Sequence, residues 1–391
     1  MERVKGYMRY FFSFFLYMFA RVLSIFVKNK DMYRDLWVVS ERGTDARDNG
    51  YHFFKYVREN HPQINAVYII DKNSADYGKV SRLGRVINRG SIEHCISIIL
   101  AKVLISSHIC GYTPMPYFYN KYRKILKLKG KKVFLQHGII KANLKDLYYP
   151  TVDLDLFVCS ARMEYEDVKE KYNHRDGVVK LLGLCRYDNL MNATEEKKQI
   201  LLMPTWRREQ IHISDIEEFK TTKYYRAFND LIHDQNLISG LKKYGYTLIF
   251  YPHYEVQRFI GAFEVSDDCV KIAPFKDYDV QTLLMTSAML VTDYSSVFFD
   301  NAYMRKPVLY YQFDKDEFST NHYEEGYFSC ERDGFGKVCN NKDEVSEEIL
   351  RLLENNMLLD DKYKERIDNF FSMYDGLNCK RNFEAVLELL D

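Results

Sequence analysis

The chain has 391 residues, 47% of them hydrophobic, which is too long for one ordinary domain and too apolar for a disordered one. Its formal net charge of +1 hides an uneven distribution: residues 101–132 carry eight Lys or Arg and no acid, while the C-terminal end is acid-rich. A basic front half points to an anionic partner. Eight cysteines without a C-x-x-C pair argue for reduced, buried thiols and against a disulfide scaffold or a zinc site.

In chain order, the first predicted element is YFFSFFLYMFARVLSIFV at 10–27, close in length to a membrane span. Ser13, Tyr17, Ala20, Arg21, Ser24 and Lys28 fall on one narrow stripe at helical spacing, and basic residues flank both ends. This pattern predicts a membrane-associated amphipathic helix over residues 1–30. It would lie in the cytoplasmic leaflet with its polar stripe toward water or the protein body. A spanning helix and an ordinary packed helix are the alternatives. The segment YFYNKYRKILKLKGKK at 117–132 is a second candidate contact with an anionic membrane surface; its alternative is a solvated basic helix. No nucleic-acid recognition motif accompanies it, so nucleic acid is not an expected partner.

Beyond residue 30, apolar runs at 36–40, 66–71, 102–107, 132–136 and 154–160 read as parallel strands. Helical segments such as 50–60 and 91–101 lie between them, which is the pattern of a doubly wound α/β domain. A polar stretch at 186–199 follows. The pattern then restarts with strands near 200–205, 247–253, 269–274, 289–293 and 307–313, and with helices including 279–287 and 296–304. Two domains follow, 31–188 and 189–391, with the last helix at 361–374 and the tail as candidates to pack back on the first. Neither G-x-G-x-x-G nor G-x-x-x-x-G-K-[ST] is present, and no metal-ligand spacing stands out, so no cofactor and no metal are expected.

In open parallel sheets, ligands bind beyond the carboxyl ends of strands. Polar residues collect at four such ends: His137 and Gly138; Thr205 and Arg207; His253; and Thr292, Asp293, Ser295 and Ser296. His137 has a side chain suited to a general base near neutral pH, and Gly138 leaves room for a ligand. Ser295 and Ser296 open a helix and so offer a seat for phosphate or diphosphate, with a plain serine cap as the alternative. Arg207 is a candidate bidentate phosphate clamp, with a surface ion pair as its alternative. His253 is placed to donate to a phosphate oxygen. Asp300, one turn after Ser296, is a candidate contact for sugar or polyol hydroxyls, with a plain surface acid as the alternative.

The motifs SERGTDARDNGYHFFKYV (40–57), QHG (136–138), GLCRYDNL (183–190), PTWR (204–207), YPH (251–253), TDYSSVFFD (292–300) and KPVLYYQFD (306–314) occur in the order seen in CDP-glycerol glycerophosphotransferases. The chain resembles that family of teichoic-acid primases and polymerases over roughly residues 36–375. The resemblance implies a GT-B-like α/β fold: two Rossmann-like doubly wound domains facing a cleft, acceptor domain first and CDP-donor domain second. It implies transfer of a polyol phosphate from CDP-glycerol or CDP-ribitol to a hydroxyl of a lipid-linked or polymeric glycan, with release of CMP. The setting it implies is peripheral, on the cytoplasmic face of the bacterial membrane. Carried over, His137 is the base, and His253, Arg207, Thr292, Ser295 and Ser296 contact the diphosphate. A glycosyltransferase using a nucleotide sugar on the same fold is the alternative. QHG stands where the family often has WHG.

Overall fold

The computed structural model describes residues 2–192, 196–265, 267–321 and 326–391. The chain divides into two compact units, neither of them one continuous run. The first comprises the residues up to 139 together with 145–189 and 373–391; the second comprises 140–144 and 190–372.

The first unit is built on seven strands: β1 (Trp37–Ser40), β2 (Ala66–Ile70), β3 (Val86–Asn88), β4 (Val103–Ser106), β5 (Lys131–Phe134), β6 (Leu156–Cys159) and β7 (Val179–Leu181). Their order is β3-β2-β1-β4-β5-β6-β7, and every neighbouring pair is parallel. β1, β2, β4 and β6 are buried along their whole length. This is why they appear in the sequence as unbroken apolar runs rather than as alternation. Successive side chains still point to opposite faces. Trp37 and Val39 enter one core with Phe53, Phe54 and Phe383, while Val38 enters the other with Val67 and Leu104.

The first of these faces is closed by the last helix, Asn378–Glu388. Asp188 holds its start, accepting from the backbone N–H groups of Asn378 and Cys379 at 2.9 and 2.7 Å. Gly183, at φ +82°, lies so close that an added Cβ would stand 1.9 Å from Asn378 Oδ1. Only glycine combines that backbone angle with that approach.

The second face carries the N-terminal helix Glu2–Val27. Tyr17, Ala20 and Ser24 are buried, and the Tyr17 hydroxyl donates to the Leu126 carbonyl at 2.5 Å. The polar stripe thus faces the protein body, where small side chains at 20 and 24 let the helix sit close. The opposite, apolar face is open: Phe12, Phe15, Phe19, Val22, Ile25 and Phe26 are each more than half exposed. Among the described residues, no helix is long and apolar enough to cross a membrane.

The second unit has six parallel strands: β8 (Lys197–Leu202), β9 (Thr247–Phe250), β10 (Val270–Ile272), β11 (Ser287–Thr292), β12 (Val308–Tyr311) and β13 (Gly336–Cys339). Their order is β10-β9-β8-β11-β12-β13. Helices with side-chain caps flank the sheet. Thr222 caps Lys223–Ile232, and Asp234 caps Gln235–Tyr244, which ends on Gly245 at φ +72°. Sequence reasoning misses β3, β7 and β13. Each has only three or four residues and lies at a sheet edge, too short for periodicity to register.

Candidate active site

Each sheet reverses its strand order once, between β1 and β4 in the first unit and between β8 and β11 in the second. These switch points, at the carboxyl ends of the strands, are where ligands bind in such folds.

In the first unit, His137 follows β5 and is well exposed, with 58% of its side chain open. Gln136 before it has φ +63° and is buried. The Gln136 amide donates to the Val158 carbonyl at 2.7 Å and to Glu164 at 3.0 Å. The difference from WHG therefore falls on a side chain that locks the turn and does not face solvent. The imidazole Nδ1 of His137 lies 2.6 Å from Asp48 Oδ2. Asp48 is nearly buried at the start of the helix Asn49–Asn60, where it caps the Asn49 N–H. Glu41, just after β1, accepts the backbone N–H groups of Arg47, Asp48 and Tyr51 and so fixes that loop. Arg186 donates to Asp48 Oδ1 at 2.9 Å and to the His137 carbonyl at 2.5 Å, and its own N–H is taken by Asn49.

Burial raises the Asp48 carboxyl, but His137, Arg186 and His108 outweigh it and hold the group well below the usual carboxylate range. An ionised Asp48 claims the Nδ1–H of His137. The Nε2 lone pair is left outward, the orientation a general base requires. His108, after β4, stands with its ring centroid 4.7 Å from that of His137. Burial first, and then His137, push His108 down to about 3, so it is neutral. Its Nε2 accepts from Arg42 Nε at 3.0 Å.

Asp48, His108 and His137 offer three potential metal-ligand atoms within 4.8 Å of one another. Two of these residues are already committed to each other in the Asp48–His137 bond. The third accepts from a guanidinium, whose charge repels a cation. The donor set fits an oriented base better than a metal cradle.

In the second unit, the expected phosphate contacts separate into two groups. Arg207 is 2% exposed. It makes a bidentate pair with Asp314 at 2.6 and 3.0 Å, an ion pair with Asp293 at 2.8 Å, and a bond to the Thr205 carbonyl. The Tyr224, Tyr294, Phe313 and Phe318 rings cage it at 5.0–5.5 Å. The expected phosphate clamp is therefore corrected: the guanidinium is spent inside the unit. Asp293 is fully buried and accepts the N–H groups of Thr205 and Tyr294. Thr292 is buried and donates to the Met203 carbonyl at 2.6 Å. Both pin the strand ends rather than face a ligand. Asp300, expected to reach polyol hydroxyls, is 5% exposed on the helix Phe298–Tyr303.

Ser295 and Ser296 remain half-exposed on the turn before that helix. Thr205 is half-exposed too, and its hydroxyl is buried with no hydrogen-bond partner. His253 follows β9, with Trp206 stacked beside it at 6.2 Å. Its Nδ1 accepts the Glu255 N–H at 3.2 Å, which leaves the proton of the neutral ring on Nε2. Gly138 is half-exposed beside His137.

Sequence reasoning missed Asp48, Asn49, His108 and Arg186. Three of them lie in motifs quoted for the resemblance, SERGTDARDNG and GLCRYDNL, without any role attached.

A family model described as CDP-Glycerol:Poly(glycerophosphate) glycerophosphotransferase matches residues 18–388, which takes in both switch points and every motif named above. The chain belongs to this family. It is 35% identical over 370 residues to the minor teichoic acid biosynthesis protein GgaB of Bacillus subtilis (strain 168), covering 91% of this chain and 40% of GgaB. It is 24% identical to the teichoic acid poly(glycerol phosphate) polymerase of the same strain, covering 89% of this chain and 48% of that one. The chain thus spans less than half the length of these relatives. A solved structure of the wall teichoic acid polymerase TagF superimposes with a TM-score of 0.67 at 17% identity, covering 100% of this chain and 99% of that one. That likeness shows a GT-B-like fold built of two parallel-sheet α/β units.

Proposed function

We propose that the protein transfers a glycerol phosphate unit from CDP-glycerol to a hydroxyl of a teichoic-acid-type polymer or lipid-linked glycan, releasing CMP. The observation that carries this reading is the Asp48–His137 pair: an exposed imidazole with Nδ1 tied to an ionised carboxylate and Nε2 left outward. Nε2 takes the proton of the acceptor hydroxyl as its oxygen attacks the β-phosphorus. The acceptor O–P bond forms, the bridging P–O bond breaks, and CMP leaves with the electron pair. Asp48 stabilises the imidazolium that results. The second unit offers His253 Nε2–H and the hydroxyls of Ser295 and Ser296 as donors for the phosphate oxygens of the CDP-activated donor. Positioning and electrostatics then carry most of the acceleration, as in other phosphoryl transfers.

The reading includes attachment to an anionic membrane surface on the cytoplasmic side. Its support is the open apolar face of Glu2–Val27 and the helix Pro116–Leu126, tied together through Tyr17 and Leu126. The second helix adds exposed Tyr117 and Ile125 beside Lys121 and Lys124. Apolar insertion and basic contacts act together in such attachment.

The test incubates the full chain with CDP-glycerol, CDP-ribitol and UDP-sugars against polymeric and lipid-linked acceptors. CMP release with glycerol phosphate transfer is expected, and His137→Ala should lower it at least about 100-fold. UDP release from a UDP-sugar, or near-wild-type turnover by the folded His137→Ala variant, overturns the reading.

A further inference from the structure

We propose that Arg42 and Arg89 form a subsite for a phosphate group of the acceptor, beside the His137 base. Arg42 follows β1 and Arg89 follows β3, so both stand at the carboxyl edge of the first sheet. The loop after β1 brings them together. Gly43, the neighbour of Arg42, packs on the Arg89 stem so tightly that an added Cβ would lie 2.5 Å from Arg89 Cδ. The same loop is held to the end of β2 by the Asp71 N–H, which donates to the Gly43 carbonyl at 2.8 Å.

Neither arginine has a carboxylate within ion-pair distance among the described residues. Arg42 is exposed, and its Nε donates to neutral His108, which in turn packs against His137. One nitrogen is thereby anchored and the outer edge of the fork is left open. Arg89 is half-buried with no side-chain hydrogen bond to any described residue. Asp71 and Asp45 act on it only from beyond ion-pair distance. Asp45 also faces Arg42, and burial holds its carboxyl above the usual range, which weakens it as a competitor.

A partly desolvated, unpaired guanidinium is costly, and an anionic ligand relieves that cost. Arginine, unlike lysine, presents two parallel donors matched to phosphate oxygens. An acceptor whose attacked hydroxyl belongs to a polyol or sugar phosphate carries such a group one unit from the reacting oxygen. The subsite would register that group and so place the hydroxyl at His137 Nε2. This inference rests on the acceptor being activated by His137, but its test does not require turnover.

Binding of a short poly(glycerol phosphate) oligomer to the full-length chain, without donor, is measured by calorimetry at two salt concentrations. Glycerol serves as the uncharged comparison, and a detergent-solubilised glycan bearing a lipid-linked phosphate is the second arm. Arg42→Gln and Arg89→Gln should each weaken phosphate-ligand binding at least about tenfold and flatten its salt dependence. Arg42→Lys and Arg89→Lys, which keep the charge and lose the fork, should weaken it by a smaller factor. Lys271→Gln, at an exposed position of β10 in the second unit, should leave it unchanged. Dependence on the arginines in only one arm identifies the source of the phosphate and supports the subsite. Affinities within twofold of wild type for both Gln variants in both arms overturn it. Loss of CMP release in the donor assay, with this binding intact, would sink the transfer reading and leave the subsite standing.

Discussion

Replacing Asp48 by Asn keeps the size of the side chain and removes its charge. In the native protein Asp48 Oδ2 lies 2.6 Å from His137 Nδ1, and Oδ1 accepts from Arg186 at 2.9 Å. A hydrogen bond between charged partners contributes about 1.5–3 kcal/mol. Transition-state stabilisation of the forming imidazolium falls by that amount, which converts to roughly 10–150-fold in kcat. The loss is larger if the new amide turns its NH2 toward Nδ1, because the ring proton then moves to Nε2 and the base is blocked. The assay is CMP release at saturating donor and acceptor, well below the melting temperature. That margin matters because Arg186 loses its carboxylate partner, and breaking a buried pair costs about 3–5 kcal/mol. Coupling is then read from a cycle: Asp48→Asn added to His137→Ala should slow the enzyme little further. A folded Asp48→Asn variant with kcat within about threefold of wild type, or effects that simply multiply, would refute the orienting role.

Arg207→Ala should destabilise the chain by about 3–5 kcal/mol in denaturant unfolding, since it strands Asp293 and Asp314; a variant of wild-type stability that only binds CDP-glycerol weakly would restore Arg207 as a phosphate clamp. Phe15→Ser with Phe19→Ser and Phe26→Ser should release the protein from vesicles containing anionic lipid, since each fully inserted Phe contributes about 1.5–3 kcal/mol. Retained sedimentation would remove the N-terminal helix as the anchor. Thermal stability should fall as the pH drops from about 6.5 toward 4, because His94 and His108 are pushed down to about 4 and about 3, mainly by burial, and the unfolded chain takes up protons first. His94→Gln should flatten that slope, whereas an unchanged slope in differential scanning calorimetry counts against a neutral buried His94. The contribution of Asp48, whose carboxyl is depressed in the folded state, is present above about pH 4 and is lost below it.

Much of the fold was legible because its central strands are buried on both faces. WVVS, AVYII, VLIS and LFVC admit no polar residue until their ends, so each marks a strand and then a site. His137 and His253 were nominated by that rule, as polar residues at the point where an apolar run stops. Arg207 obeyed the same rule and misled. The aromatic rings and acids that enclose it come from residues 224, 293, 294, 313, 314 and 318, and nothing local to PTWR announces them. The N-terminal helix showed a polar stripe, but only packing against Ile92–Leu100 and Leu126 decided that the stripe faces inward and the phenylalanines outward.

By itself, then, the sequence determined the two parallel-sheet units, because strand burial is a local property of a run of residues, and the family, through the order of its motifs; it nominated His137 and His253 as polar residues at strand ends. The pairing of His137 with Asp48, 89 residues away, was decided only by the tertiary structure. So were the placement of Arg186 on both and the burial of Arg207 against Asp293 and Asp314. A hydrogen bond depends on distance in space, and burial depends on what other segments cover, and neither is written in the spacing of one stretch of chain.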